Sequence, residues 1–485
     1  MSRAEQPGRY LWSAAALLTC AVAALLTCTV LASIPARAID GQDQKTLSPP
    51  SGASSPFDSW TMLRDIENAR AALANKGIQF QLVYFGEVLG NPSGGVRQGA
   101  IYDGRLGLLV DADLEKTLGW SGAAFHASIH QIHGHGLSGS NLDNLLVVSG
   151  IEALPATRLF NLWIEQKFAG GIVSIRAGQL STQVAPTQEF FVSQFGSLFV
   201  NATFGWPAIT STNLPSGGPT YPLATPGIRL KLSPNDQLSI LAAVFNGDPA
   251  GPGPGDPQRR NPTGTSFRVN DPPLLMGEID FAYNQDKDAA RLPGTVKLGG
   301  WYHFGQFADQ RFTVEGLSLA DPRSSGVPAQ DGGNFGIYAI VDQMLWRVPG
   351  TTDQGLGIFA RVSVSPSDRN LISAYFDGGA SYKGLFPGRE NDYLGVGFGF
   401  ANISSRARAL DRDAVSFSGI DSPIRDYEAT VEVTYQAQIT PNWMLQPVFQ
   451  YIVHPGGHIP DPVNTSGSSA IPNAAIFGLR TMVKY

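Results

Sequence analysis

Cysteine and charge are both scarce in this 485-residue chain. Its only two cysteines, Cys20 and Cys28, fall within the first 38 residues, and charged side chains make up just 15% of the whole. Ordinary soluble domains carry roughly 25% charge. The first 38 residues read as an export signal. Arg3 and Arg9 give a positive start, Leu11 to Ala32 is an uncharged, mostly apolar run, and Pro35 breaks any helix. Ala36-Arg37-Ala38 then fits a small-x-small cleavage site. A retained anchor helix is the weaker alternative, since the run is long for a signal. Lipid attachment at Cys28 is weaker still, because Leu25-Leu26-Thr27 lacks a small residue just before the cysteine.

Cleavage after Ala38, giving a mature start at Ile39, removes both thiols and with them disulfides and cysteine metal sites. Residues 1–38 hold three of the 34 basic and one of the 40 acidic side chains, so the remainder carries a net charge of −8. That balance speaks against nucleic acid as a partner. After residue 38 no uninterrupted apolar run approaches the ~20 residues that a membrane helix needs. If the remainder lies in a membrane it must be a closed barrel, because only helices and closed barrels satisfy every backbone group in lipid.

What the chain does have is turn residues, 55 Gly and 34 Pro, and a period of two. Residues 39–58 form a polar, Pro/Ser-rich lead with no hydrophobic period. Residues 59–77 predict a helix, capped by Asp58 or Ser59 and ended by Gly77, and it is the only convincing helix after the signal. From Ile78 the pattern alternates. Tyr102, Leu106, Leu108 and Val110 take one side of a strand, with Asp103, Arg105 and Asp111 on the other. From Tyr427 to Ile439, apolar residues alternate with Glu428, Thr430, Glu432 and Thr434.

A soluble β-sandwich alternates in the same way. Strands of about 9–13 residues, aromatics near strand ends and the C-terminal strand favour an all-β transmembrane antiparallel barrel of about sixteen strands over 78–485. In that last strand Phe477, Leu479, Val483 and the terminal Tyr485 share one face, while Arg480 and Lys484 share the other. A terminal aromatic after alternating apolar residues resembles the signal read by the barrel assembly machinery. Residues 248–265, 320–334 and 404–422 read as long loops on the extracellular side.

A set of motifs in one order carries a family resemblance. It begins with Phe85-Gly86-Glu87-Val88-Leu89-Gly90-Asn91 and Tyr102-Asp103-Gly104-Arg105-Leu106. Leu162-Trp163-Ile164-Glu165-Gln166 and Arg176-Ala177-Gly178-Gln179-Leu180 follow. Next come Phe204-Gly205-Trp206-Pro207, Leu214-Pro215-Ser216-Gly217-Gly218-Pro219 and Tyr221-Pro222-Leu223-Ala224. Pro226-Gly227-Ile228-Arg229-Leu230 and Ala243-Val244-Phe245-Asn246-Gly247-Asp248-Pro249 continue it, and Asp342-Gln343 and the C-terminal strands also look similar. Together they resemble the carbohydrate-selective porin (OprB) family from about Trp60 to Tyr485. The resemblance implies a sixteen-stranded pore with a polar constriction that passes glucose-like sugars.

A neutral sugar needs paired donors and acceptors for its hydroxyls and aromatic surface for its ring. Binding must stay weak, or the solute cannot leave. The period-two reading offers Asp103, Arg105, Asp111, Arg176, Arg229, Lys231, Glu278 and Arg361 as pore-lining candidates, along with Asp280, Lys297, Glu428 and Glu432. Glu165 joins them from its motif. Most lumen charges are solvated wall, so these residues are candidates rather than an assigned constriction. Trp206 lies in a Gly/Pro-rich stretch. It either presents its ring to sugars from a loop folded into the lumen or packs that loop against the wall.

His126, His130, His133 and His135 cluster, but His126, Ser128 and His130 simply occupy alternate polar positions of a strand. No catalytic residue, metal site or cofactor is expected. The expected partners are small carbohydrates, outer-membrane lipid and lipopolysaccharide, and the assembly machinery acting on Tyr485, with homotrimer formation open. The alternatives are a general small-solute porin or, less favoured, a barrel-borne enzyme or adhesin.

Overall fold

A computed structural model describes residues 61–182, 189–286, 291–464 and 466–485. The expected export signal, the Pro/Ser-rich lead and the first residues of the expected helix lie outside these residues. Within them, a helix (α1, Thr61–Asn75) precedes sixteen strands. These are β1 (Ile78–Ser93), β2 (Gly99–Asp113), β3 (Ala123–Gly134), β4 (Ala156–Phe168), β5 (Val173–Leu180), β6 (Thr225–Leu232), β7 (Leu238–Asn246) and β8 (Pro273–Tyr283). They continue as β9 (Gly294–Thr313), β10 (Pro328–Arg347), β11 (Gly355–Val364), β12 (Ile372–Lys383), β13 (Tyr393–Ile403), β14 (Tyr427–Thr440), β15 (Trp443–Val453) and β16 (Ala474–Lys484).

Every strand pairs antiparallel with its sequence neighbour, and β1 pairs with β16 to close the barrel. Closure leaves no edge strand, which is the condition for a sheet to lie in lipid. The seam register sets Glu87 opposite Arg480, and their side chains meet at 2.5 Å inside the wall. At the chain's end the Tyr485 backbone exchanges hydrogen bonds of 2.8 and 2.9 Å with Leu82, and Arg70 of α1 lies 5.6 Å over the Tyr485 ring. Among the described residues no helix is long and apolar enough to cross a membrane.

The alternation read from the sequence sets the faces. Leu106, Val431, Val433, Phe477 and Leu479 point outward and are exposed, whereas Asp103, Glu428, Thr430, Glu432 and Thr434 point inward and are buried. The connections are of two kinds. One end of the barrel carries short ones, such as 169–172, 233–237 and 441–442. The other carries 135–155, 181–224, 247–272, 404–426 and 454–473.

Two expectations need correction. Residues 328–334, read as loop, open β10 and pair with β9. The stretch read as a loop from 404 also contains a 14-residue helix, Ser405–Ser418. Ser404 caps it by accepting from the Ala407 amide, and Gly419 ends it in the left-handed region at φ 71°. Its Arg/Asp-rich composition hid it, although Ser before the first turn and Gly after the last are ordinary helix limits.

Candidate functional site

A barrel of this size would leave an open bore. Residues 189–224, the described part of the β5–β6 connection with Ser181 and Thr182, turn inward and fill much of it. Such a Gly/Pro-rich segment has amides without ladder partners, and these must be satisfied once buried. Inward carboxylates of the wall satisfy them. Glu278 on β8 accepts from the Phe191 amide at 3.0 Å, and Asp342 on β10 accepts from the Ser193 hydroxyl at 2.7 Å. Glu432 on β14 accepts from the Val200 and Asn201 amides at 2.7 and 2.8 Å. Arg361 on β11 pairs with Asp377 on β12 and donates to the Phe191 and Thr203 carbonyls at 2.9 and 2.7 Å.

Space for this plug is made by glycine. On the inner face of β13, a Cβ at Gly395 would stand 2.6 Å from Leu198 and one at Gly397 would stand 2.8 Å from Phe204. At either position a Cβ would force the plug side chain to shift, so the Gly-x-Gly run lets Leu198, Phe199 and Phe204 seat as they do. The β3–β4 connection, 135–155, folds in beside the plug. Its Leu145 and Leu146 amides bond Glu428 at 2.8 and 2.6 Å, and Gly150 bonds Val200 at 3.0 Å. Within it, burial pushes the Glu152 carboxyl up to about 7, against the pull of the Ser138 and Leu137 amides.

The plug is held against β8, β10–β12, β14 and β15, and it also meets the polar wall of β2–β6 through Glu189 and Tyr221. Two layers cover that wall. In one, the Arg105 guanidinium lies between the rings of Phe85 and Tyr221, at 4.8 and 5.1 Å from their centroids. Among the described residues no carboxylate comes within ion-pair distance of it. His130 stacks on Phe160 at 4.8 Å beside them.

The second layer alternates charge and ring. Asp111 meets His126 at 2.7 Å, His126 stacks on Trp163 at 5.0 Å, and Arg176 lies 4.1 Å over the Trp163 ring. Glu165 then holds Arg176 and Arg229, each at 2.7 Å. Glu189, from the start of the described plug, takes Arg229 at 2.7 Å and Arg176 at 3.4 Å. This layer is mostly buried, with the Asp111 side chain the most open at 49%, and it fixes donors and acceptors against aromatic rings while its charges largely cancel. A polyhydroxylated neutral solute can bond to such a surface, whereas an ion gains little from it.

The structure thus brings Asp111, Glu165, Arg176 and Arg229 together, with Lys231 on the inner face of β6 two residues beyond Arg229, and sets Asp103 and Arg105 in the adjoining layer. Four expected pore-lining residues are placed otherwise. Trp206 is only 4% exposed, donates its indole N–H to the Gly217 carbonyl at 3.2 Å and packs edge-on to Phe191. It therefore packs plug against wall, the second of its two readings. Arg361 and Glu278 are fully covered by the plug they anchor. Asp103, at 3% exposed, is likewise inside protein rather than on an open surface.

His126, Trp163, Tyr221 and Glu189 join the site without having been picked out for it. The first three carry a signal, since each sits on an inward strand position or in a family-like motif. Glu189 carries none, because its position depends on how the plug turns.

A family model described as carbohydrate-selective porin, OprB family, matches residues 97–485. The chain is 24% identical over 428 residues to Porin B of Pseudomonas aeruginosa, covering 84% of this chain and 89% of that protein. It is 22% identical over 432 residues to a putative porin, QuiX, of Acinetobacter baylyi, covering 82% and 90%. The high-pH structure of Pseudomonas putida OprB superposes with a TM-score of 0.75 at 22% identity, covering 87% of this chain and 97% of that one. That last likeness speaks for the fold. With the family model spanning all but the first strand and its lead, this chain belongs to the carbohydrate-selective porin (OprB) family of outer-membrane barrels.

Proposed function

We propose that this porin passes small glucose-like sugars down their gradient into the periplasm, along the wall of β2–β6. The observation that carries this reading is the layer Asp111–His126–Trp163–Arg176–Glu165–Arg229. Paired opposite charges offer hydroxyl partners, and the buried Trp163 and His126 rings pack behind them and hold them in place. Arg105, stacked between two rings and with no carboxylate in ion-pair distance among the described residues, supplies a second set of donors. Asp111, with its side chain 49% exposed, and Lys231 form the approach.

The same reading has the chain exported, with residues 1–38 removed after Ala38, and its C-terminal strand handed to the assembly machinery through Tyr485. The position of Tyr485 at the closing seam supports that role. Lipid and lipopolysaccharide are the partners of the outward apolar face, and association into trimers would use part of that face.

Planar-bilayer recordings test the proposal. Single channels should open without a voltage threshold, and added monosaccharide should reduce their ionic current in a saturable way. A current unchanged by sugar would leave a general small-solute pore as the reading.

A further inference from the structure

Away from the lumen path, Asp426, His454 and His458 converge at the long-loop end of the barrel. Asp426 immediately precedes β14, and the two histidines begin the connection from β15 to β16. One carboxylate oxygen and one nitrogen from each imidazole lie within 4.8 Å of one another. His454 Nδ1 is 2.9 Å from Asp426 Oδ1, and His458 Nδ1 is 3.7 Å from Oδ2. The two imidazoles are stacked at 4.1 Å. All three side chains are partly open to solvent, so a cation can reach them.

The backbone gives a second, independent sign. His454 and His458 both adopt positive φ, at 54° and 75°, a region that favours glycine. Between them the run Pro455-Gly456-Gly457 makes the tight reversal. The Gly457 amide bonds the His454 carbonyl at 2.9 Å, and the Asp426 amide bonds the Gly457 carbonyl at 3.0 Å. Tyr427 packs on the His454 ring at 4.7 Å. Local strain that aims two imidazoles at one carboxylate is the kind of feature that clusters at ligand-holding sites. Packing of the loop alone would be met by glycine or asparagine at either position.

We propose that Asp426, His454 and His458 bind a divalent first-row transition cation of the zinc class. Two neutral imidazoles and a carboxylate form a recurrent three-ligand set for such ions, leaving a fourth position to water. Ligand distances of about 2.0–2.2 Å require the three atoms to sit about 3.3 Å apart, which side-chain rotation can reach. Hard cations such as Mg2+ and Ca2+ prefer oxygen ligands and should not compete. The bound ion ties the connection that precedes β14 to the one that follows β15, bracing that sector of the mouth.

The test is a Zn2+ titration of the tag-free full-length protein, folded in detergent, by calorimetry and by metal analysis after desalting. One equivalent should bind the wild type, undiminished by excess Mg2+ or Ca2+. His454→Ala, His458→Ala and Asp426→Asn should each weaken binding by at least about tenfold, and His135→Ala, at an exposed histidine outside the cluster, should not. Heat-modifiable gel mobility reports whether each variant is folded. If Asp426→Asn gives no folded barrel, His454→Gln and His458→Gln decide the matter. No bound equivalent in the wild type, or unchanged affinity in folded histidine variants, overturns the proposal.

Discussion

At the scale of single residues, Arg105 and Leu106 are neighbours with opposite surroundings. Arg105 points into the lumen between two rings, and Leu106 is 39% exposed on the outer face near the middle of β2. Arg105→Ala removes up to five donors and one positive charge from water-facing space. Folded yield should hold, ionic conductance should rise and block by sugar should weaken. Leu106→Arg places a charge against lipid, at a cost of about 2–4 kcal/mol near the midplane, and folded yield should fall. Measuring yield and sugar-blocked conductance for both variants separates a lumen role from a structural one. This pair was legible because alternation alone decides which neighbour faces lipid. Trp206 was not legible, because its burial depends on where a 44-residue connection turns, and local sequence does not say.

Glu152 is the residue whose ionisation should show in the fold. Burial lifts its carboxyl to about 7, above the usual carboxylate range, so the folded chain holds this proton more tightly than the unfolded chain does. The stabilisation this group contributes is fully present below its unfolded value of about 4.3. It is lost as pH rises through 7. Amides of residues 136–152 should therefore exchange hydrogen more readily at pH 8 than at pH 5.5, once intrinsic rates are corrected. Glu152→Gln should flatten the difference. A wild-type profile with no such difference would count against a buried, proton-holding Glu152.

Among the elements, the plug matters most to the pore. Its anchors are charged side chains that strand periodicity places inside but whose partners lie far along the chain. Arg361 shows the consequence. Read from the sequence it is a lumen cation, yet in the fold it is wholly covered, paired with Asp377 and bound to two plug carbonyls. Arg361→Ala leaves the Asp377 carboxylate buried without its partner, which costs about 3–5 kcal/mol. The thermal transition seen by heat-modifiable mobility should drop, and the freed plug should give larger, noisier single-channel currents. An unchanged transition with unchanged current would place Arg361 outside the anchoring set. What the Gly395/Gly397 run makes room for is not written locally in the sequence, because Leu198 and Phe204 come from a segment almost 200 positions earlier.

For the whole molecule, the strand pattern, the seam and the outward apolar face follow from periodicity together with the rule that lipid-spanning sheets must close. The sugar path does not follow from periodicity, because it is what remains after two long connections have folded inward. In the proposed reading it runs along the cancelling charges and aromatic rings of β2–β6. Such a bore should favour small neutral hydroxylated solutes over charged ones of the same size. Swelling of proteoliposomes measures this most directly. Monosaccharides should enter faster than zwitterionic or anionic solutes of similar mass, and trisaccharides should lag well behind. Equal rates for sugars and charged solutes of one size, or no swelling beyond that of protein-free liposomes, would contradict a sugar-preferring path along this wall.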